Sequence, residues 1–91
     1  MEFEWDIRKN RANIQKHGIS FLSAARVFDG PTFKFVDDRK DYGEIRYVAI
    51  GVVEDIEYYV VYTMRGTRCR IISARRANQS ERRKYREIYP R

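Results

Sequence analysis

Arginines crowd the last third of the sequence. Residues 61–91 hold ten Lys/Arg against two Asp/Glu, and nine of these ten are arginine, whereas residues 1–60 hold nine Lys/Arg against eleven Asp/Glu. A guanidinium can form two parallel hydrogen bonds with a phosphate, and an ammonium cannot. This asymmetry therefore predicts a polyanionic partner, with nucleic acid as the first candidate and an acidic protein as the second.

Guanidiniums and one group that titrates near neutral pH are sufficient for metal-independent cleavage of RNA. In that reaction the 2′-hydroxyl attacks the adjacent phosphate, so a protein has to remove one proton, supply another and stabilise the charge on the phosphorane. Arg68 and Arg70 alternate along one predicted strand, so they project from one face about 7 Å apart. The candidate catalytic arginines are Arg70 and Arg75, and the candidate phosphate contacts are Arg65, Arg68 and Arg76. The alternative is a merely solvated strand face.

His17 is the only histidine in the sequence, and Gly18 follows it at a predicted helix end. Histidine ordinarily titrates near neutral pH, and a helix C-terminus favours its protonated form. We therefore interpret this residue as a candidate general acid or phosphate-binding cation. The alternative is a histidine that only caps the last carbonyls of the helix.

Other polar side chains are weaker candidates. Glu44 stands just before a predicted strand, where it is either a general base or the ion-pair partner of Arg46. Lys9 and Lys16 lie seven residues apart on one helix face, so they either extend an RNA-binding track or only aid solubility. Arg82 of the last predicted helix is a candidate phosphate contact.

Neither the acidic residues nor the cysteine predicts a metal site. The single cysteine, Cys69, excludes an internal disulfide and a cysteine-based zinc site. An acidic stretch matches no calcium-binding spacing and is explained by a polar hairpin loop; it comprises Asp37, Asp38, Asp41 and Glu44. We therefore expect no metal and no cofactor.

A group of aromatic residues, Trp5, Phe33 and Phe35, offers a second possible function. Such rings can form a surface on which bases stack. A role in the core or at a partner interface is favoured at this stage, because large aromatic side chains are usually buried.

Length and composition limit the class of protein. A chain of 91 residues with a hydrophobic fraction of 43% predicts one folded domain over residues 1–91. No apolar stretch approaches the roughly 20 residues of a membrane-spanning helix. The acidic, aromatic N-terminus does not fit a secretory leader, so we expect a protein of the reducing cytoplasm.

Capping residues predict three helices. Asp6 is a plausible N-cap for a helix that ends at His17, and Ser20 for a second helix over Phe21–Phe28. Asn78, with a glutamate three residues later, resembles a capping box that opens a final helix over Gln79–Tyr89.

Between the second and last helices the apolar period changes from that of a helix to that of a strand. Four runs rich in β-branched and aromatic residues are separated by short turns, which predicts an antiparallel meander. Phe3–Trp5 also alternates, and is either a short first strand or an aromatic plug. The fold class is therefore α+β: an antiparallel sheet of about four strands, with two N-terminal helices and one C-terminal helix packed on it.

Several blocks of the sequence occur together in a recognisable order; they are residues 3–6, 16–21, 25–29, 43–46, 50–51, 61–66, 70–75 and 81–85. Taken together, these blocks resemble the BrnT family of type II toxins, relatives of the RelE-like ribonucleases. The resemblance covers essentially the whole chain, and the Lys-His-Gly and Arg-Ile-Ile-Ser-Ala-Arg blocks are its most specific parts.

The resemblance implies a RelE-like fold, an endoribonuclease activity that blocks translation, and a cognate antitoxin. That antitoxin is implied to be BrnA-like, with a ribbon-helix-helix region, and to bind operator DNA in complex with the toxin. The RNA substrate is implied to include ribosome-associated mRNA. In RelE-like enzymes a C-terminal aromatic stacks on a base, which makes Tyr85 a candidate catalytic residue, with Tyr89 as its substitute.

Two other classes of function remain open on the sequence alone. A non-catalytic nucleic-acid-binding module would explain the charge asymmetry equally well, because affinity for phosphate needs only cations. A protein-interaction domain would use the basic surface to receive an acidic partner. Cleavage of RNA in EDTA separates the first alternative from an enzyme, and growth arrest on expression separates the second from a toxin.

Overall fold

The computed structural model describes residues 1–90, which form five strands and three α-helices. No helix in this part of the chain is long and apolar enough to cross a bilayer. In chain order the elements are β1 (Glu2–Glu4), α1 (Ile7–His17), α2 (Phe21–Ala24), β2 (Phe33–Asp37), β3 (Arg46–Val53), β4 (Ile56–Arg65), β5 (Arg68–Arg76) and α3 (Gln79–Ile88).

The strands form a single sheet in the order β1-β5-β4-β3-β2. The predicted antiparallel meander is confirmed for β2 to β5, and so is the α+β class with two N-terminal helices and one C-terminal helix. The expected number of about four strands is slightly wrong, because β1 is a fifth strand. It pairs in parallel with the start of β5, where Phe3 lies opposite Cys69.

Local capping defines the helices, as predicted. The Asp6 carboxylate accepts hydrogen bonds from the backbone N–H groups at the start of α1, and Gly18 ends that helix at a φ of 70°. At α3 the side chains and backbones of Asn78 and Glu81 form a complete capping box.

The second helix is shorter than predicted. It is α-helical only to Ala24 and continues as a 3-10 helix over Ala25–Asp29. This segment crosses the sheet at Gly51, where an added Cβ would lie 2.9 Å from the Cβ of Val27. Only glycine permits so close an approach of the 3-10 segment to β3.

The sheet has two differently covered faces. The first face packs against α2 and the 3-10 helix through a core that includes Phe21, Val60 and Ile71. The second face packs against α3 through a smaller cluster that includes Ile50 and Tyr85. Because α3 spans only part of that face, side chains of β4 and β5 remain accessible beside it.

A β-bulge in β5 determines which side chains reach the second face. Val61 is paired with Ser73, and Tyr62 with Ile71, so Ile72 is an extra residue in the ladder. Strand residues alternate between faces, and one extra residue reverses the alternation that follows it. The bulge therefore places Ser73 on the second face, whereas unbroken alternation from Cys69 and Ile71 would place it on the first.

Asn13 joins α1 to β5 beyond the end of β1. Its side-chain amide donates 2.8 Å hydrogen bonds to the carbonyls of Ile19 and Ala74, and its side-chain oxygen accepts one of 3.1 Å from the Ala74 N–H. Asn13 is 7% exposed. This side chain therefore replaces a neighbouring strand and anchors the C-terminal half of α1 beside the second face.

We expect Asn13→Ala to lower the free energy of unfolding by about 2–4 kcal/mol, because it leaves buried backbone groups without partners. Urea denaturation followed by circular dichroism measures this loss. Arg11→Ala, at an exposed position of the same helix, is the matched control and should leave the midpoint nearly unchanged. An equal midpoint for Asn13→Ala and wild type would contradict the anchoring role.

Candidate catalytic cleft

A cleft of about 290 Å³ lies where the C-terminal end of α1 meets the second face of the sheet. It combines one imidazole, three other cationic groups and two hydroxyls. The lining residues are Lys16, His17, Arg39, Tyr59, Val61, Ser73, Ala74 and Arg75.

Three of the predicted site residues meet in this cleft. Lys16 and His17 come from the last turn of α1, where both are exposed, and Arg75 comes from the far end of β5. The bulge at Ile72 makes this meeting possible. Without the extra residue, Arg75 would project from the face opposite to Arg70.

Arg75 is held in one orientation from two sides. Its Nη1 and Nη2 atoms donate hydrogen bonds of 2.8 and 2.9 Å to the two carboxylate oxygens of Glu81. Its guanidinium lies over the ring of Tyr59, 3.9 Å from the ring centroid. A guanidinium held in this way has lost most of its rotational freedom before a ligand binds.

Glu81 takes part in the capping box of α3 and also holds Arg75 in the cleft. Its Oε1 atom accepts a hydrogen bond from the Asn78 N–H at 2.8 Å, besides the one from Arg75. Burial alone would raise the pKa of Glu81, but the hydrogen bonds from Arg75 and Asn78 outweigh it, so the pKa is lowered. The same ion pair raises the pKa of Arg75.

We expect Glu81→Gln to lower stability at neutral pH and to have progressively less effect in acid. A carboxylate whose folded-state pKa lies below its ordinary 4.5 stabilises the fold above that value, and this contribution is lost as the pH falls through the folded-state pKa. Urea midpoints of both proteins across pH 3–7 measure the difference. A pH-independent difference would contradict an ionised, stabilising Glu81.

Arg39 enters the cleft from the loop after β2 and is locked in a similar way. Its Nε and Nη2 atoms donate to the carboxylate of Asp37 at 2.8 and 2.9 Å, and that carboxylate side chain is 2% exposed. The hydrogen bond from Arg39 holds the pKa of Asp37 below its ordinary value, in spite of burial. The cleft therefore has two guanidiniums fixed by bidentate carboxylates.

Tyr59 lines the cleft together with these two arginines, and the guanidinium of Arg75 lies over its ring. Burial raises the pKa of its phenol, although the charges of Arg39 and Arg75 act in the opposite direction. The hydroxyl is consequently neutral at physiological pH and able to donate a hydrogen bond. Ser73, in the next strand, supplies a second hydroxyl to the same cleft.

The other arginines of β4 and β5 lie outside the cleft. Arg65, Arg68 and Arg70 project from the second face, but each is paired with a carboxylate. Arg65 pairs with Glu44 at 3.6 Å, Arg68 with Glu2 at 3.2 Å and Arg70 with Glu4 at 2.6 Å.

Arg76 is not part of the arginine group of the second face. It lies opposite Tyr58 in the ladder, and Tyr58 packs into the core of the first face. The five arginines of the predicted phosphate site therefore do not converge on one hollow: one lines the cleft, three share its face and one projects from the other face.

Glu44 lies near the arginines of the second face and not in the cleft. It forms ion pairs with Arg46 at 3.7 Å and with Arg65 at 3.6 Å. This geometry matches the ion-pair alternative, with Arg65 as an additional partner that sequence spacing did not indicate.

Two residues of α3 that were assigned to the site have mainly structural contacts. Tyr85 is 4% exposed in the core of the second face, and its hydroxyl donates to the carbonyl of Pro31 at 2.9 Å. Arg82 donates to the carbonyl of Ala77 at 2.9 Å. Lys9 is exposed in the first half of α1, away from the residues that line the cleft. None of the three side chains lines the cleft with His17.

A second groove, of about 420 Å³, lies on the outer side of α3. Its lining residues are Gln79, Arg82, Arg83, Arg86 and Glu87. It contains no imidazole and no hydroxyl, so it offers cations for binding but no group suited to proton transfer at neutral pH. The smaller cleft is therefore the better candidate for chemistry.

The sulfur and acidic side chains do not form a rival site within residues 1–90. Burial raises the pKa of the Cys69 thiol to about 11, so this sulfur is a protonated core atom and not a nucleophile. No three His, Cys, Asp or Glu side chains of the described residues are grouped so that they could hold a metal ion.

Sequence reasoning missed Arg39, Tyr59 and Ser73. Arg39 looked like part of a polar loop, and Tyr59 like any aromatic residue of a buried strand. One signal was available for Arg39, because an aspartate two residues before an arginine in a loop can form a local bidentate pair. Nothing local identifies Ser73, whose position depends on the bulge.

The sheet carries a preorganised cationic cleft with one imidazole and two hydroxyls, an arrangement that suits a polyanionic ligand. Comparison with protein families gives a more specific result. Residues 5–81 match the family described as "Ribonuclease toxin, BrnT, of type II toxin-antitoxin system". The match covers most of the 91-residue chain and includes every residue that lines the cleft.

The chain therefore belongs to the BrnT family of ribonuclease toxins. Membership of a type II toxin–antitoxin family implies an RNA target and an antitoxin partner. The chain has no significant match among curated proteins.

Proposed function

We propose that this protein is an endoribonuclease that cleaves RNA without a metal ion, by attack of the 2′-hydroxyl on the adjacent phosphate in the cleft. The observation that carries the proposal is that His17, the only histidine, and Arg75, a guanidinium fixed by Glu81, line the same cleft. The reaction needs a proton-transfer group and fixed cations within reach of one phosphate, and this pair supplies both.

Arg75 and Arg39 are assigned to the phosphate oxygens. Both guanidiniums keep their orientation through carboxylate partners, so they need little reorganisation when negative charge builds up on the phosphorane. Each also has N–H groups that are not used by its carboxylate, because a guanidinium carries five. Lys16, exposed at the rim, adds a mobile positive charge for the neighbouring phosphate.

His17 is assigned to proton transfer. It lines the cleft from the exposed end of α1, so its imidazole is available to exchange a proton with a bound phosphodiester. The hydroxyls of Tyr59 and Ser73 are donors for the non-bridging oxygens. Because cationic and hydroxyl groups line the cleft, we assign the stabilisation of charge on the phosphorane to these side chains.

The partner and cellular role follow the family. We propose that a BrnA-like antitoxin with a ribbon-helix-helix region neutralises the protein in the cytoplasm, that their complex binds operator DNA, and that the RNA target includes ribosome-associated mRNA, so that cleavage inhibits translation. Expression of this chain alone should arrest growth, and co-expression of the adjacent antitoxin gene should restore it. Normal growth on expression of the folded protein alone would contradict the role as a toxin.

The chemistry is tested by incubating the purified protein with RNA in excess EDTA and analysing the ends of the products. The proposal predicts products with 2′,3′-cyclic phosphate ends, formed at an undiminished rate after chelation. RNA substituted with 2′-deoxyribose at the cleaved position should bind but remain intact. Binding without cleavage of ordinary RNA would instead support the non-catalytic nucleic-acid-binding module.

A further inference from the structure

One exposed aromatic ring borders the cleft. Phe35, on β2, is the only aromatic side chain of residues 1–90 that is exposed, with 38% of its surface accessible. It projects from the second face, because it lies opposite Val48 and packs with the other rings of that face. The ring packs against its neighbours on one side and is open to solvent on the other, so part of it is available for contact with a ligand.

The ring of Phe35 is held in place by its neighbours. Its centroid lies 5.4 Å from that of Phe33 and 6.4 Å from that of Tyr59. Tyr59 in turn lines the cleft and lies under the guanidinium of Arg75. Phe35 is therefore connected to the proposed phosphate site by a single intervening ring.

Cross-strand pairing gives the distance between this ring and the rest of the cleft. Phe35, Val48, Val61 and Ser73 form one row across four strands. Three strand spacings separate the ends of the row, which corresponds to about 14 Å between the backbones of Phe35 and Ser73. A phosphate bound between them leaves the ring within reach of the base of the same or the adjacent nucleotide.

We propose that Phe35 is a base-stacking platform for a nucleotide next to the scissile phosphate. This inference rests on the proposed function, since it takes single-stranded RNA as the ligand of the cleft. The ring supplies binding energy that is independent of salt, whereas Arg39 and Arg75 supply the electrostatic contribution. Because every base has a π-face, stacking here favours an unpaired nucleotide without strong preference for its identity.

The surroundings of Phe35 favour a base over a protein partner. An apolar docking site usually needs a contiguous exposed patch of several hundred Å². The next residue, Val36, is exposed but projects from the first face, and on the second face the strand continues to Asp37 and its partner Arg39. A single ring flanked by a guanidinium suits a nucleotide, whose base and phosphate lie side by side.

The test measures binding and not cleavage, so that its outcome does not depend on the catalytic assignments. A short single-stranded RNA with 2′-deoxy positions, labelled with a fluorophore, is titrated with the intact protein in EDTA and followed by anisotropy. Phe35→Ala should weaken binding by about 5- to 150-fold, the range expected for loss of one stacked base. Phe35→Leu, which keeps apolar bulk without a π-face, should recover only part of this loss. Val36→Ala, exposed on the same strand but opposite face, is the matched control and should bind as wild type does.

A series of RNAs with one abasic position each identifies the stacked base. With wild type, one abasic position should lower affinity by the same factor as Phe35→Ala, and with Phe35→Ala that position should no longer matter. The stacking proposal is overturned if the losses of affinity from the abasic position and from Phe35→Ala multiply independently. It is also overturned if Phe35→Ala binds every RNA with the affinity of the wild type. Weakened binding of the antitoxin with unchanged RNA binding would assign the ring to the protein partner instead. If RNA is bound through Phe35 but never cleaved, the proposed function fails while this inference stands.

Discussion

Replacing His17 with alanine is expected to lower the rate of RNA cleavage by about 100- to 10,000-fold, the range usual for loss of a positioned proton-transfer group. His17 carries the imidazole of the cleft, whose other polar side chains are guanidinium, ammonium and hydroxyl groups. The fold should be unaffected, since His17 is exposed and Gly18 ends the helix independently of it. Single-turnover cleavage of a labelled RNA measures the rate.

Chemical rescue separates a catalytic His17 from a merely capping one. Imidazole added to His17→Gly should restore part of the cleavage rate in proportion to its concentration, and it should not affect the wild type. Gln15→Ala, exposed in the same helix end but not in the cleft, is the matched control and should cleave normally. A His17→Ala protein with wild-type activity would remove the imidazole from the mechanism.

Arg75→Ala is the second change for which we expect a large effect, a decrease in cleavage of about 100- to 1,000-fold. Loss of one preorganised donor to a developing oxyanion typically has this magnitude. The variant should remain folded, because Glu81 keeps its hydrogen bond to Asn78 and the capping box persists. Arg75→Lys should recover little activity, since an ammonium cannot retain both the bidentate contact with Glu81 and a phosphate contact.

The neighbouring residue provides a stringent control for Arg75. Arg76→Ala removes the same charge from the same strand, but on the first face, so cleavage should change only slightly. Arg70→Ala should have an intermediate effect, chiefly on RNA affinity, because Arg70 shares the face of the cleft but is paired with Glu4. Equal losses for Arg75→Ala and Arg76→Ala would show that net charge matters and that the cleft does not.

The parts of the fold that depend on local physical chemistry were predictable from the sequence. Asp6 and Gly18 define both ends of α1, and the capping box at Asn78 defines the start of α3. The second helix was predicted too long because its apolar spacing does not reveal where α-helical winding changes to 3-10 winding. The 3-10 segment lies against Gly51, a contact distant in sequence that the spacing does not reveal either.

The candidate site was only partly predictable, because it depends on register and tertiary contacts. The bulge at Ile72 places Arg75 and Ser73 on one face, and the residue type at this position does not indicate that a bulge occurs there. The count of arginines overestimated the size of the site for a related reason. Composition shows cations, but only the tertiary structure shows that Arg68 and Arg70 are paired with carboxylates of β1.

For Tyr85, the role that the family resemblance suggested differs from the position of the side chain in the fold. The resemblance to RelE-like enzymes suggested a stacking aromatic at the C-terminal end, but this ring packs α3 onto the sheet and bonds Pro31. The exposed ring near the cleft belongs to Phe35, on the edge strand β2. An aromatic pattern in the sequence does not distinguish these roles, because burial is a property of the folded chain.

The central claim is that the cleft between α1 and the second face holds the RNA phosphate. It is tested most directly by NMR, with uncleavable 2′-deoxy-substituted RNA added to isotopically labelled protein. The account predicts that the largest shifts affect the imidazole of His17, the amides of Ser73 to Arg75, and the side chain of Arg39. Shifts confined to Arg82, Arg83 and Arg86 on the outer side of α3, with the signals of the cleft unchanged, would contradict it.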